Sequence, residues 1–217
     1  MTDSTILKKD LFGEIRLSRR DHEQVVIRDC AAAANGLRWL ARRLLRREAS
    51  ALAALSDIDG FAQIIRLGRD ELVRSYLDGE PMQRAQPSDP AYFKAAAKLL
   101  RAMHRAGVVH NDLAKEPNLL VRRDGTPAII DFQLAWHSEG RNKLFRIAAR
   151  EDLRHLLKHK RSYCPNELST RERSILDHPS MPATIWQKTV KPVYHFVTRR
   201  VLGWSDREGA ADRGEQR

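Results

Sequence analysis

The chain has 217 residues, 42% of them hydrophobic, which suits one sizeable domain or two small lobes around a cleft and excludes a disordered chain. Lys and Arg number 39 against 28 Asp and Glu, a net charge of +11 that favours anionic partners without choosing among nucleotides, nucleic acid, phospholipid and lipopolysaccharide. Cys30 and Cys164 cannot build a disulfide framework or a zinc site, and neither a signal-peptide pattern nor a run of roughly 20 apolar residues occurs, so a cytoplasmic chain is expected.

Residues 5–30 read as three short strands, the third being the β-branched run 24–28 after a polar turn at 19–23. From Leu37 to Leu55, apolar residues recur at three- and four-residue spacing, which predicts a long amphipathic helix. Its opposite face carries Arg38, Arg42, Arg43, Arg46 and Arg47, read as a solvated surface. Two more strands are expected at 63–67 and 71–76, before Gly79 and Pro81 break regular structure in 77–81. That break is the expected boundary between a lobe at 1–78 and a second at 79–204.

In the second lobe Phe93, Ala96, Ala97, Leu100, Met103 and His104 mark one face of a helix that ends at Gly107. The run 119–130 reads as a hairpin around Asp124 and Gly125. Residues 205–217, rich in Gly and charge and poor in apolar side chains, are expected to be disordered.

Two segments flank the hairpin: HNDLAKEPN at 110–118 and IDFQLA at 130–135. They bring two carboxylates and a carboxamide to one place. Phosphoryl transfer needs that set, because magnesium takes hard oxygen ligands and an acceptor hydroxyl must be oriented by a carboxylate. Asp112, Asn118 and Asp131 supply these groups.

The order of helix, His-x-Asp, Asn, Asp-Gly hairpin and Ile-Asp-Phe resembles the protein-kinase superfamily. The resemblance implies an α+β bilobal kinase-like fold, with a small β-rich amino-terminal lobe carrying one helix and a reduced, mostly helical carboxy-terminal lobe. It implies ATP and Mg2+ as cofactors, Asp112 as the catalytic aspartate, Asn118 and Asp131 as magnesium ligands, and His110 as a structural partner in the loop. By the same resemblance Arg28 stands where kinases place the phosphate-contacting Lys, and Glu48 is the helix glutamate that pairs with it. The segment 73–82, with Tyr76, resembles the hinge against which the nucleotide rests, and Gly13 stands for a reduced glycine-rich loop. The chain departs from ordinary protein kinases in the spacing of Asp112 and Asn118, one residue longer than usual. Gln133 replaces the glycine of the DFG motif, and no Ala-Pro-Glu motif follows. It resembles instead the reduced members, RIO-type kinases and the bacterial kinases of lipopolysaccharide core sugars.

The resemblance leaves the acceptor open. A RIO-like protein Ser/Thr kinase is the first reading. A kinase of a membrane glycolipid or lipopolysaccharide core sugar is the second, and a nucleotide-binding pseudokinase the third. The basic excess of 141–204 suits an anionic acceptor or a membrane surface. An amphipathic segment at 185–204 fits either docking on the second lobe or peripheral contact with the inner membrane surface. Nucleic acid is not an expected partner, since aromatic residues total 6% and no recognition motif occurs. His155 and His159 lie four apart, yet Lys and Arg surround them, so 151–160 reads as a basic surface helix rather than a metal site.

Overall fold

The computed structural model describes residues 4–20, 22–34 and 36–178. The amphipathic segment at 185–204 and the tail at 205–217 lie outside the described residues.

The first three expected strands form as β1 (Ser4–Asp10), β2 (Gly13–Arg20) and β3 (Glu23–Asp29), joined by tight turns into an antiparallel meander. With β4 (Ile64–Leu67) and β5 (Glu71–Ser75) they make a five-stranded sheet of order β1-β2-β3-β5-β4. Helix α1 (Arg38–Ala53) is inserted between β3 and β4 and packs its Ala41, Leu45, Ala49 and Leu52 stripe into the core. The arginines of α1 are not simply solvated. Arg42 pairs with Asp70 (Nη2–Oδ2 3.0 Å), and Arg47 donates to the carbonyls of Leu134 and Ala135, because their long side chains reach groups that the chain brings beside the helix.

Gly13 begins β2 and must be glycine. Its φ is +125°, and a Cβ there would stand 2.1 Å from the Asp29 carbonyl oxygen, so β3 approaches the backbone too closely for any side chain.

The segment 77–81 is only partly irregular, for Glu80–Pro81 (β6) pairs with β8 (Leu119–Val121), which in turn pairs with β9 (Pro127–Ile129). A one-turn helix α2 (Met82–Ala85) follows and buries Met82. Helix α3 (Pro90–Arg105) starts on Asp89, whose carboxylate accepts the Ala91 N–H, with Pro90 in the first helical position where no donor is lost. In the β8–β9 hairpin Gly125 alone has a positive φ (+77°), and the Gly125 N–H bonds the Arg122 carbonyl. This is a three-residue hairpin loop with glycine in the left-handed position, not a two-residue turn needing positive φ at both centres.

Short strands β7 (Val108–Val109) and β10 (Trp136–His137) pair across the chain between α3 and α4 (Lys143–Tyr163), and α5 (Thr170–Asp177) closes the described part with a Ser169/Glu172 capping box. α4 corrects the reading of a surface helix. Phe145, Asp152, Leu156 and His159 are buried along its inner face against α3 and the 110–118 loop. The two polar members of this stripe hid it from hydropathy.

Candidate active site

The loop after β7 is fixed before it presents any reactive group. The His110 and Asn111 N–H groups donate to the two oxygens of Asp152 on α4 (2.7 and 2.9 Å), and Asp152 is 1% exposed. His110 is fully buried. Its Nδ1 accepts the Asp112 N–H at 3.2 Å, so the ring proton sits on Nε2, which donates to the Ile130 carbonyl at 2.9 Å. That tautomer couples the loop to the residue before Asp131. His159 on α4 adds a bond from Nε2 to the Leu113 carbonyl (2.8 Å). It is therefore a loop anchor and not half of a metal pair with His155, which burial and then Lys158 hold neutral, its pKa lowered to about 4.

The longer spacing between Asp112 and Asn118 does not separate them. The Lys115 N–H turns back to the Asp112 carbonyl, and a 3-10 turn at Glu116–Asn118 follows. Asn118 is thereby brought home, its Nδ2 donating to the Asp112 carbonyl (2.9 Å) and to Asp112 Oδ2 (3.3 Å). With the nitrogen so used, the Asn118 oxygen is the atom left to ligate a cation. The Asn118 carbonyl also accepts the Ile130 N–H (3.0 Å), which ties the carboxamide to the strand end that delivers Asp131.

Asp131 has φ +65° and ψ +69°, the left-handed region that a non-glycine residue enters at a cost of order 1–3 kcal/mol. Among the described residues no side chain hydrogen-bonds or ion-pairs its carboxylate. Its charge instead bears on Asp112, whose pKa is raised first by burial and also by Asp131, against the lowering by Lys115, whose Nζ stands 3.1 Å from Asp112 Oδ2. A strained carboxylate without a cationic partner, beside a second carboxylate and a carboxamide oxygen, suits a hard divalent ion. No group of three or more His, Cys, Asp or Glu able to hold a metal occurs among the described residues. The donor set matches magnesium, which takes one or two protein oxygens and completes its shell with water and phosphate, and not a metal caged by protein alone.

On the sheet side Arg28 is 5% and Glu48 2% exposed, and Arg28 Nη1 donates to Glu48 Oε2 at 2.9 Å. A residue the sequence reading passed over joins them: Arg74 of β5, with Nε 3.2 Å from Glu48 Oε1. The preceding residue of α1, Arg47, bonds the Leu134 and Ala135 carbonyls, so one helix holds both the Glu48 pair and the segment after Asp131. Tyr76 leaves β5 half-buried with its N–H given to the Gln24 carbonyl (3.1 Å). Gly13 is the first residue of β2, where the close approach of Asp29 accounts for its being glycine without reference to any ligand.

A strand-rich sheet with one inserted helix, followed by a helical part, also occurs in known proteins. The RIO domain family matches residues 12–172, about three quarters of the chain. The chain belongs to the RIO domain family.

The Rio2 kinase from Chaetomium thermophilum, known from a crystal structure, superimposes with a TM-score of 0.62 at 16% identity, over 81% of this chain and 62% of that one. The present chain thus matches less than two thirds of that protein, and at this identity the likeness speaks for the fold. No curated protein matches the sequence. As a RIO domain the chain has the expected α+β kinase-like architecture.

Of the positions that this RIO domain uses to hold its site, Asp152 and Arg74 were not singled out from sequence, and His159 was weighed only as a metal ligand and set aside. Asp152 and His159 carried a readable signal, since both fall on the Phe145–Leu156 stripe of α4, where a buried charge or imidazole must have a partner. Arg74 carried none, because an arginine in a half-buried strand has many ordinary explanations.

Proposed function

We propose that this RIO domain is an ATP-dependent kinase that transfers a γ-phosphoryl group to a hydroxyl of a protein Ser or Thr. The observation that carries the reading is the convergence of Asp112, Asn118 and Asp131 at one anchored loop, with Asp131 strained and without a cationic partner. When bound, MgATP supplies the transferable phosphoryl group and the cation that offsets its charge. The Asn118 oxygen and the Asp131 carboxylate would hold the magnesium, and Arg28, braced by Glu48, would meet the phosphates. Tyr76 and Gly13 border the nucleotide.

Asp112 orients the acceptor hydroxyl. As the hydroxyl oxygen forms its bond to phosphorus and the bond from phosphorus to the bridging oxygen of ADP breaks, the hydroxyl proton passes to the Asp112 carboxylate. Burial raises the proton affinity of that carboxylate, which suits it to receive the proton, and the Lys115 ammonium beside it opposes that rise.

A second acceptor class is favoured by the net charge of +11, which would draw the chain to an anionic glycolipid. Incubation with γ-labelled ATP, magnesium and either lysate protein or cell-envelope glycolipid distinguishes the two. Label should pass to protein in the wild type and not in Asp112→Ala. Label in glycolipid alone would reverse the choice of acceptor, and equal transfer by both chains would sink the enzymatic reading in favour of a binding module.

A further inference from the structure

Glu48 is one buried carboxylate facing two buried guanidinium groups. β3 and β5 are antiparallel, with Arg28 opposite Leu72 and Val26 opposite Arg74. Arg28 and Arg74 are therefore diagonal neighbours on the same face of the sheet, the face that α1 covers with Glu48. The side chains of Arg28, Glu48 and Arg74 are 6%, 2% and 13% exposed, so two positive charges and one negative are withdrawn from water together. A surplus cation in such a place is costly unless an anion meets it.

The hydrogen bonding is incomplete in the same sense. Arg28 satisfies Glu48 Oε2 through Nη1, while Arg74 Nε comes within ion-pair distance of Oε1 without hydrogen-bond geometry and has no other partner for that buried N–H. Buried donors left without an acceptor are rare and call for a reason. An incoming oxyanion supplies one, and guanidinium forks are the side chains best shaped to take phosphate oxygens two at a time.

We infer that Arg74 is a second phosphate-binding residue, which with Arg28 forms a paired-guanidinium subsite for the polyphosphate of a nucleoside triphosphate, Glu48 serving both. The inference rests on the nucleotide-binding reading above and deepens it. In this arrangement Glu48 need not release Arg28 to the phosphates unaided, since the second guanidinium neutralises it in turn. The single cation of an ordinary kinase site is here divided between two strands. The two Arg side chains also differ in duty: loss of Arg28 leaves Arg74 able to hold both Glu48 and phosphate, so Arg28→Met keeps part of its affinity.

The full chain is titrated with MgATP and with adenosine by calorimetry or ligand-observed NMR, in the wild type, Arg74→Met, Arg74→Lys, Arg28→Met and the double Met variant. Arg74→Met should weaken MgATP about ten- to a hundredfold and leave adenosine within about twofold, because only the polyphosphate is touched. Arg74→Lys should fall between, and the double variant should bind MgATP no better than adenosine. A structural role alone would move both ligands together. Wild-type affinity of Arg74→Met for MgATP, or equal losses for MgATP and adenosine, overturns the inference. So does an Arg28→Met variant as weak as the double one. Should Arg74→Met not fold, Arg74→Lys carries the test by the same comparison, and wild-type values for both ligands overturn the inference. A wild-type chain that binds no MgATP would overturn the nucleotide reading itself, an outcome distinct from any in which the wild type binds and Arg74 proves indifferent.

Discussion

Asp152 Oδ2 accepts the backbone N–H of His110 at 2.7 Å, across 42 positions of sequence. The other oxygen takes the Asn111 N–H at 2.9 Å, and His104 Nε2 lies 3.3 Å from Oδ2. A carboxylate buried in α4 thus supplies the acceptors that the backbone before Asp112 would otherwise lack. Asn111 itself has φ +65°, a conformation this pair of bonds helps to hold.

Replacing Asp152 by Ala should therefore destabilise the fold by about 1–4 kcal/mol, since the buried His110 N–H loses its acceptor at about 1–3 kcal/mol and the part-buried Asn111 N–H loses its own at a smaller cost. Asp152→Asn keeps one acceptor oxygen and should lose less. Urea denaturation of the three chains checks the order, and Asp152→Asn, where folded, should still show a lower transfer rate because the His110–Asp112 backbone is no longer held on both sides.

Asp112→Asn separates activity from stability. Burial raises the Asp112 pKa in the folded chain above its unfolded value of about 3.9, so the folded state holds the proton more tightly. The stability tied to that proton is fully present below about pH 3.9 and is lost as pH rises through the raised value. The neutral Asn escapes that loss. Asp112→Asn should be at least as stable as the wild type at pH 7, with the difference shrinking below about pH 4, while phosphoryl transfer falls about a hundredfold or more. Denaturation at the two pH values, beside a transfer assay, reads both effects, and a mutant clearly less stable at pH 7 would contradict the dominance of burial. The wild-type transfer rate should in turn fall with acid at a pH above the ordinary aspartate range.

Gly13→Ala should cost about 2 kcal/mol or more, because its φ of +125° is strained for any other residue and the new Cβ would meet the Asp29 carbonyl. The loss should appear in thermal melts without any nucleotide present. A folded, fully stable Gly13→Ala would show that β3 can move away from the start of β2.

Cys30 and Cys164 are buried free thiols, and burial is the leading cause raising both pKa values. The thiolate is the reactive form, so neither should react with an aromatic disulfide reagent at pH 8 in the native chain. Both should react at once in urea. Rapid labelling of the native chain would contradict the burial of Cys30 in the core just after β3 and of Cys164 at the end of α4.

The sequence by itself determined the elements whose signal is local. Alternation and β-branching fixed β1 to β5, the three- and four-residue apolar spacing fixed α1 and α3, and the HNDLAKEPN and IDFQLA segments identified the groups of the candidate site before any geometry was known. These signals survive in one dimension because each depends on neighbours a few residues away. Only the tertiary structure decided what holds those groups. α4 read as a basic surface helix because Asp152 and His159 interrupt its apolar face, and their partners are backbone atoms more than 40 residues distant. Arg74 read as an ordinary strand residue until β3, β5 and α1 brought it to the carboxylate that Arg28 already occupies. A buried polar side chain is defined by its partner, and that partner is chosen by the fold.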